Sequence, residues 1–142
     1  MNLEMFAGAI LGHFVGDYLL QNDWMATNKW KPGWLGHKAC TVHVLLYTLA
    51  VALFTSWNPL FLLVIAVPHW IIDRWSLAKY LLAWKNGQRM EDIWKEAQPG
   101  YFLSADELKM NIWKIAFAAP VYIFNDNTLH WVCIWFTVKL FF

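Results

Sequence analysis

The chain has 142 residues, enough for one domain, and 59% of them are hydrophobic while only 15% are charged. That balance excludes an ordinary soluble domain of this size. The formal net charge of +1, with basic residues scattered through loops, excludes a nucleic-acid-binding surface.

What remains is an all-α, polytopic membrane protein, read as one transmembrane domain over residues 1–142. Eleven tryptophans fit long membrane–water boundaries, where indole rings settle. Four apolar segments stand at about 3–20, 35–57, 60–84 and 112–142, and roughly 20 residues span a hydrocarbon core. They predict a four-helix bundle with cytoplasmic loops at 21–34 and 85–111. Glu4, with no Lys or Arg ahead of the first apolar run, argues against a cleavable signal peptide.

In the first segment His13, Asp17 and Gln21 sit four apart, on one stripe of a helix. Ionisable groups at membrane depth are expensive, so they mark function by default. Beside them Gly8, Gly12 and Gly16 form a smooth groove. It admits a close helix from the same chain or, in a homo-oligomer, from a second copy. The second segment carries Cys40, His43 and Tyr47, and Asn58-Pro59 then makes a tight turn into the third. There Pro68 precedes His69, and Asp73 follows one helical turn later.

In the 85–111 loop, Met90, Ile93, Trp94 and Ala97 recur at helical spacing and predict a short amphipathic cytoplasmic helix. Pro99-Gly100 ends it, and Ser104 with Glu107 forms a capping box for a helix starting at Ala105. The last segment is long for one crossing: either its first turns stand in the interface, or it breaks near Pro120 or Asn125-Asp126-Asn127. It carries Asp126 and His130, the same pair in reverse order. Lys29, Lys31, Lys38, Lys85, Arg89, Lys95 and Lys109 all fall in or beside the two longer loops. The positive-inside rule puts those loops in the cytoplasm and both termini outside.

That orientation brings His13, Asp17, His43, His69, Asp73, Asp126 and His130 to a similar layer in the cytoplasmic half. Imidazole with carboxylate suits zinc, manganese or iron, whereas calcium and magnesium prefer oxygen alone. The spacing of four lets both side chains of a pair bind one ion, or lets the Asp orient a ligating His. Seven candidates exceed one four-coordinate ion, so one or two ions are expected, most readily zinc. The bland alternative is a set of interhelical hydrogen bonds. Cys40 and Cys133 show no metal-binding spacing and read as small hydrophobes. Gln21 reads as a helix-end hydrogen-bonder, and His37, beside Lys38, as solvent-facing.

The run His13-Phe-Val-Gly-Asp17-Tyr-Leu-Leu-Gln21, with Trp24-Met25-Ala26 and Lys29, resembles the opening motif of a small bacterial and phage membrane family of unknown function. His43 with Tyr47, and His69-Trp-Ile-Ile-Asp73-Arg74, are similar to its second and third motifs. Asp126-Asn127-Thr-Leu-His130 is similar to its last, with Asn127 where the family pattern has Gln. The likeness covers most of the chain outside 85–111. The family is similar in pattern to the LexA-regulated, membrane-bound metal-dependent hydrolases. The resemblance implies a bacterial inner-membrane protein with a metal layer.

The leading expectation is a metal-dependent hydrolase acting on a lipid-linked or amphiphilic substrate at the cytoplasmic leaflet. His13, His43, His69 and His130 would be ligands, and Asp17, Asp73 and Asp126 ligands, orienting partners or a general base. The rivals are a proton or metal-ion transporter or channel subunit, and a structural or regulatory partner docking through the 85–111 loop. Four helices are few for an inverted-repeat transporter.

Overall fold

A computed structural model describes the backbone of residues 2–86 and 105–142, and the side chains of 2–85 and 120–142. Among the described residues all regular structure is helical. Helix α1 spans Leu3–Phe14 and passes straight into a π-helical turn at Val15–Leu19. Then come α2 (Asp23–Asn28), α3 (Trp34–Phe54), α4 (Pro59–Trp75), α5 (Leu77–Asn86) and α6 (Ala105–Phe141). The amphipathic helix expected around 89–97, and Ser104 of the capping box, lie outside the described residues.

Local chemistry accounts for the boundaries. Asn2, Asn22 and Asn58 each turn a side-chain oxygen onto the first free N–H groups of α1, α2 and α4. Such a cap contributes about 1 kcal/mol. Pro59 opens α4, where no intrahelical N–H is needed, and Ser76 closes it in the left-handed region at φ 49°. The cap by Asn22 builds α2 inside a stretch expected to be loop, through a 3.0 Å bond from the Met25 N–H.

Of the two alternatives for the last segment, the break does not occur: α6 is continuous through Pro120 and Asn125-Asp126-Asn127. Asn125 and Asn127 donate their amide N–H to the carbonyls of Val121 and Ile123, at 3.0 and 2.9 Å. Thr128 donates to Phe124 at 2.7 Å. Polar side chains that bond back to their own helix neither compete for other backbone partners nor unwind it.

The chain divides into two compact units, Met1–Ser76 with Leu129–Phe142, and Leu77–Thr128. The second contains α5 and the N-terminal part of α6, and Ala78 and Leu82 are buried in it. In the first, Ala9, Tyr47, Val51, Phe61, Ile65, Ile134 and Val138 make one apolar core. The glycine stripe of α1 seats α3 of the same chain. A Cβ on Gly12 would stand 2.5 Å from the Cα of Val51, and one on Gly16 2.9 Å from the Cα of Tyr47. One on Gly8 would collide with the Phe54 carbonyl. Only glycine allows this approach.

Large apolar side chains stand exposed on the helices. Leu45, Leu49 and Leu53 on α3 are exposed, as are Val132, Phe136 and Leu140 on α6, each trio four residues apart. Leu60, Leu63 and Val67 continue the pattern on α4. Among the described residues α3 alone is, by itself, long and apolar enough to cross a membrane, with 21 residues and mean hydropathy 1.4. Helix α4, with 17 residues, stands at the lower end of the length a crossing needs.

Candidate metal centre

The first unit assembles the polar residues beneath its apolar core. His13 comes from the end of α1 and Asp17 from the π-helical turn. His43 and Tyr47 come from α3, His69 and Asp73 from α4, and His130 from the last part of α6. All four rings are at most 1% exposed, and the Asp73 side chain is 2% exposed. The Asp17 side chain, at 11%, is the more open carboxylate. The unit thus buries a polar cluster beside its apolar core, while leucines stand on its outer faces.

Four atoms converge. The Nε2 atoms of His43 and His69 stand 3.1 Å apart. His43 Nε2 lies 3.0 Å from Asp73 Oδ2 and 3.4 Å from Asp17 Oδ1. His69 Nε2 lies 3.3 and 3.5 Å from the same two oxygens. Around this set, His13 Nδ1 is 3.5 Å from Asp17 Oδ2, and His130 Nε2 is 3.7 Å from Asp73 Oδ1. The Nδ1 atoms of His43 and His69 have no hydrogen-bond partner among the described residues. Each of these two rings is therefore tied to the site through Nε2.

The donor set fits a cation. Each neutral imidazole has one lone-pair nitrogen, and an ionised carboxylate has only acceptors. With both Nε2 atoms protonated the two N–H groups crowd each other at 3.1 Å, and with either one bare its lone pair faces a carboxylate oxygen. One positive ion at their centre would satisfy all four at once. His13, Asp17 and His69 form one buried group able to hold a metal ion, and His43, His69 and Asp73 form another.

Packing holds the rings in place. Tyr47 stacks on His69 with centroids 3.6 Å apart and planes 18° from parallel. His130 packs on His69 at 4.1 Å. The Tyr47 ring thus belongs both to the apolar core and to the wall of the site.

Lys29, from the stretch between the first two apolar segments, also reaches the site. Its Nζ donates to Asp73 Oδ2 and to Gln21 Oε1, both at 2.8 Å. Gln21 is thereby a hydrogen-bonding partner at the end of the π-helical turn. The separation of 44 residues between Lys29 and Asp73 leaves no periodic trace. The one available signal was Lys29 standing within the opening motif. Arg74 donates to His37 Nδ1 at 3.5 Å and to the Trp30 carbonyl at 3.4 Å, tying α4 to the start of α3. Cys40 is buried, its thiol 3.7 Å from the Trp70 carbonyl. Cys133 is half-buried on α6. Asp126 is half-buried and falls in the second unit, on α6 one turn before His130 in sequence.

A protein-family model described as "Protein of unknown function (DUF3307)" matches residues 5–142. The chain belongs to this family. Its description assigns no reaction to its members, so the chemistry must be argued from the site. No curated protein and no solved structure matches the chain.

Proposed function

We propose that this member of the family is a four-helix, inner-membrane protein that binds zinc and acts as a metal-dependent hydrolase. Its substrate would be a lipid-linked or amphiphilic molecule met at the cytoplasmic leaflet. The observation that carries the reading is the convergence of His43, His69, Asp17 and Asp73. A tetrahedral zinc site with bonds of about 2.0–2.2 Å has ligand–ligand edges of roughly 3.3–3.6 Å. The nitrogen–nitrogen and nitrogen–oxygen separations here run from 3.0 to 3.5 Å. Within the first unit both three-residue groups draw on His69, so the two share a ligand and would not each hold an ion of their own.

Exposed apolar trios around a buried polar layer support a bilayer setting. So do the lysine-bearing loops, which set the orientation with both termini outside.

The two buried aspartates divide the work. Asp73 Oδ2 is taken by Lys29, His43 and His69, and Oδ1 faces His130. It holds the site together. Asp17 turns Oδ1 into the cluster and Oδ2 toward His13, and it is the more exposed of the two. That makes it the carboxylate able to stand off the ion as general base, with His13 fixing its orientation, while His43, His69 and Asp73 would hold the metal and leave the fourth position to water. Zinc bound here supplies Lewis acidity and makes water acidic enough to react near neutral pH. Asp126 is the third carboxylate assigned to the chemistry, and Asp126→Asn tests it by turnover.

The deciding experiment is metal analysis of the detergent-purified protein. About one equivalent of zinc, lost in His69→Ala, is expected for a four-coordinate site. Manganese or iron in its place would keep the site and change the ion. Less than about 0.2 equivalents of any transition metal, unchanged by His69→Ala, ends the metal reading. Flux of zinc or protons in proteoliposomes would instead favour a transport role.

A further inference from the structure

We infer that Lys29 makes this site a receptor for a singly charged oxyanion, and that the substrate presents a phosphodiester group. The inference rests on the metal reading above and adds the class of ligand.

The charges decide it. Asp17 and Asp73 bring two negative charges, and Lys29 brings one positive charge, hydrogen-bonded to Asp73 at 2.8 Å. The four imidazoles contribute none when neutral. A divalent ion in the cluster therefore leaves these groups with one net positive charge; Arg74, a further buried cation of the unit, is bonded instead to His37 and the Trp30 carbonyl. In a buried, low-dielectric setting such an excess is costly until an anion matches it. Were residue 29 uncharged, the filled site would be neutral and would make no such demand. Lys29 thus does more than neutralise Asp73, because the metal alone would do that.

Position agrees with charge. The Lys29 side chain is 15% exposed and Asp17 11%, while Asp73 and the four histidines are nearly closed to solvent. Lys29 and Asp17 are thus the least enclosed charged groups of the cluster, the ones a ligand entering from solvent would reach before Asp73. A phosphodiester carries one negative charge, equal to the site's excess. A phosphomonoester near neutral pH carries up to two, and a neutral ester none.

The test uses the full-length protein in neutral detergent. Zinc content is read first, then binding of diethyl phosphate by calorimetry, with neutral triethyl phosphate as control. The zinc-loaded protein should bind diethyl phosphate and not triethyl phosphate, and the zinc-free protein should bind neither. Lys29→Met should retain zinc, release it more slowly to a chelator, and bind diethyl phosphate at least about tenfold more weakly. Lys29→Arg should restore most of the affinity. Lys31→Met, which alters an exposed lysine bonded to Asn28, should change nothing. Competition by phosphatidylglycerol assigns the phosphodiester to a lipid, and its absence assigns a soluble one.

Equal binding in Lys29→Met and the unmodified protein, both zinc-loaded, overturns this inference alone. Equal losses in Lys29→Met and Lys31→Met do the same. Should Lys29→Met not fold, equal binding of diethyl and triethyl phosphate by the unmodified protein overturns it. An unmodified protein without zinc removes the metal reading, and this inference with it.

Discussion

At the residue scale, Asp73 and Asp17 look alike in sequence, each one helical turn after a histidine, yet their surroundings differ. Asp73 meets Lys29, His43, His69 and His130, whereas Asp17 meets three histidines and stands more open. Asp73→Asn should lose the metal and destabilise the protein by about 3 kcal/mol, because it leaves Lys29 without its buried counter-charge. Denaturant titration in detergent, with metal analysis, checks both. Asp17→Asn should stay folded, with a loss of about 1 kcal/mol or less, and should abolish turnover. Acidification acts on the same atoms. Protons compete with the metal for the imidazole and carboxylate lone pairs, so bound metal should fall as pH drops and return on neutralisation. Metal content across a dialysis series from neutral to acidic pH measures this; retention independent of pH would count against His ligation.

The elements show why these side chains meet. Helix α1 approaches α3 so closely that even a methyl group on Gly12 would overlap the Val51 backbone. Gly12→Ala should therefore push α1 away, costing about 2 kcal/mol or more. Because His13 is the next residue and Asp17 follows it, metal retention should fall as well. The π-helical turn at Val15–Leu19 is the local departure that matters most. It gives Asp17 and Gln21 positions that a regular stripe of four-residue steps only approximates, and such turns recur at functional sites. Glycine spacing made a close helix pair legible. It did not say which helix, since a second copy would have satisfied the same pattern. The Asn125-Asp126-Asn127 run misled for a related reason: propensity marked it as a break, while amide bonds to Val121 and Ile123 keep α6 helical.

For the whole molecule, the proposal of a multi-pass protein makes a prediction about sidedness. Single cysteines placed at Lys31 and at Asn58, in a Cys40→Ala, Cys133→Ala background, should label from opposite sides of intact inner-membrane vesicles. Lys31 should be reached from the cytoplasmic face and Asn58 from the other. Labelling of both from one side would remove the topology. Resistance of the protein to alkaline carbonate washing should accompany the opposite-side result.

Composition alone determined that this is a helical protein too apolar for an ordinary soluble domain. Spacing alone nominated His13, Asp17, His69, Asp73, Asp126 and His130, because a helix converts steps of four residues into one face. Both signals are local, so both survive in a linear string. Tertiary structure decided the rest. It set His43 and His69 nitrogen to nitrogen, brought Lys29 to Asp73 across 44 residues, filled the glycine groove with α3, and made Tyr47 the wall of the site. Contacts between separate helices depend on how their faces are rotated and how closely they approach. No periodicity within one helix encodes that, so the charge of the completed site could be counted only once the chain was folded.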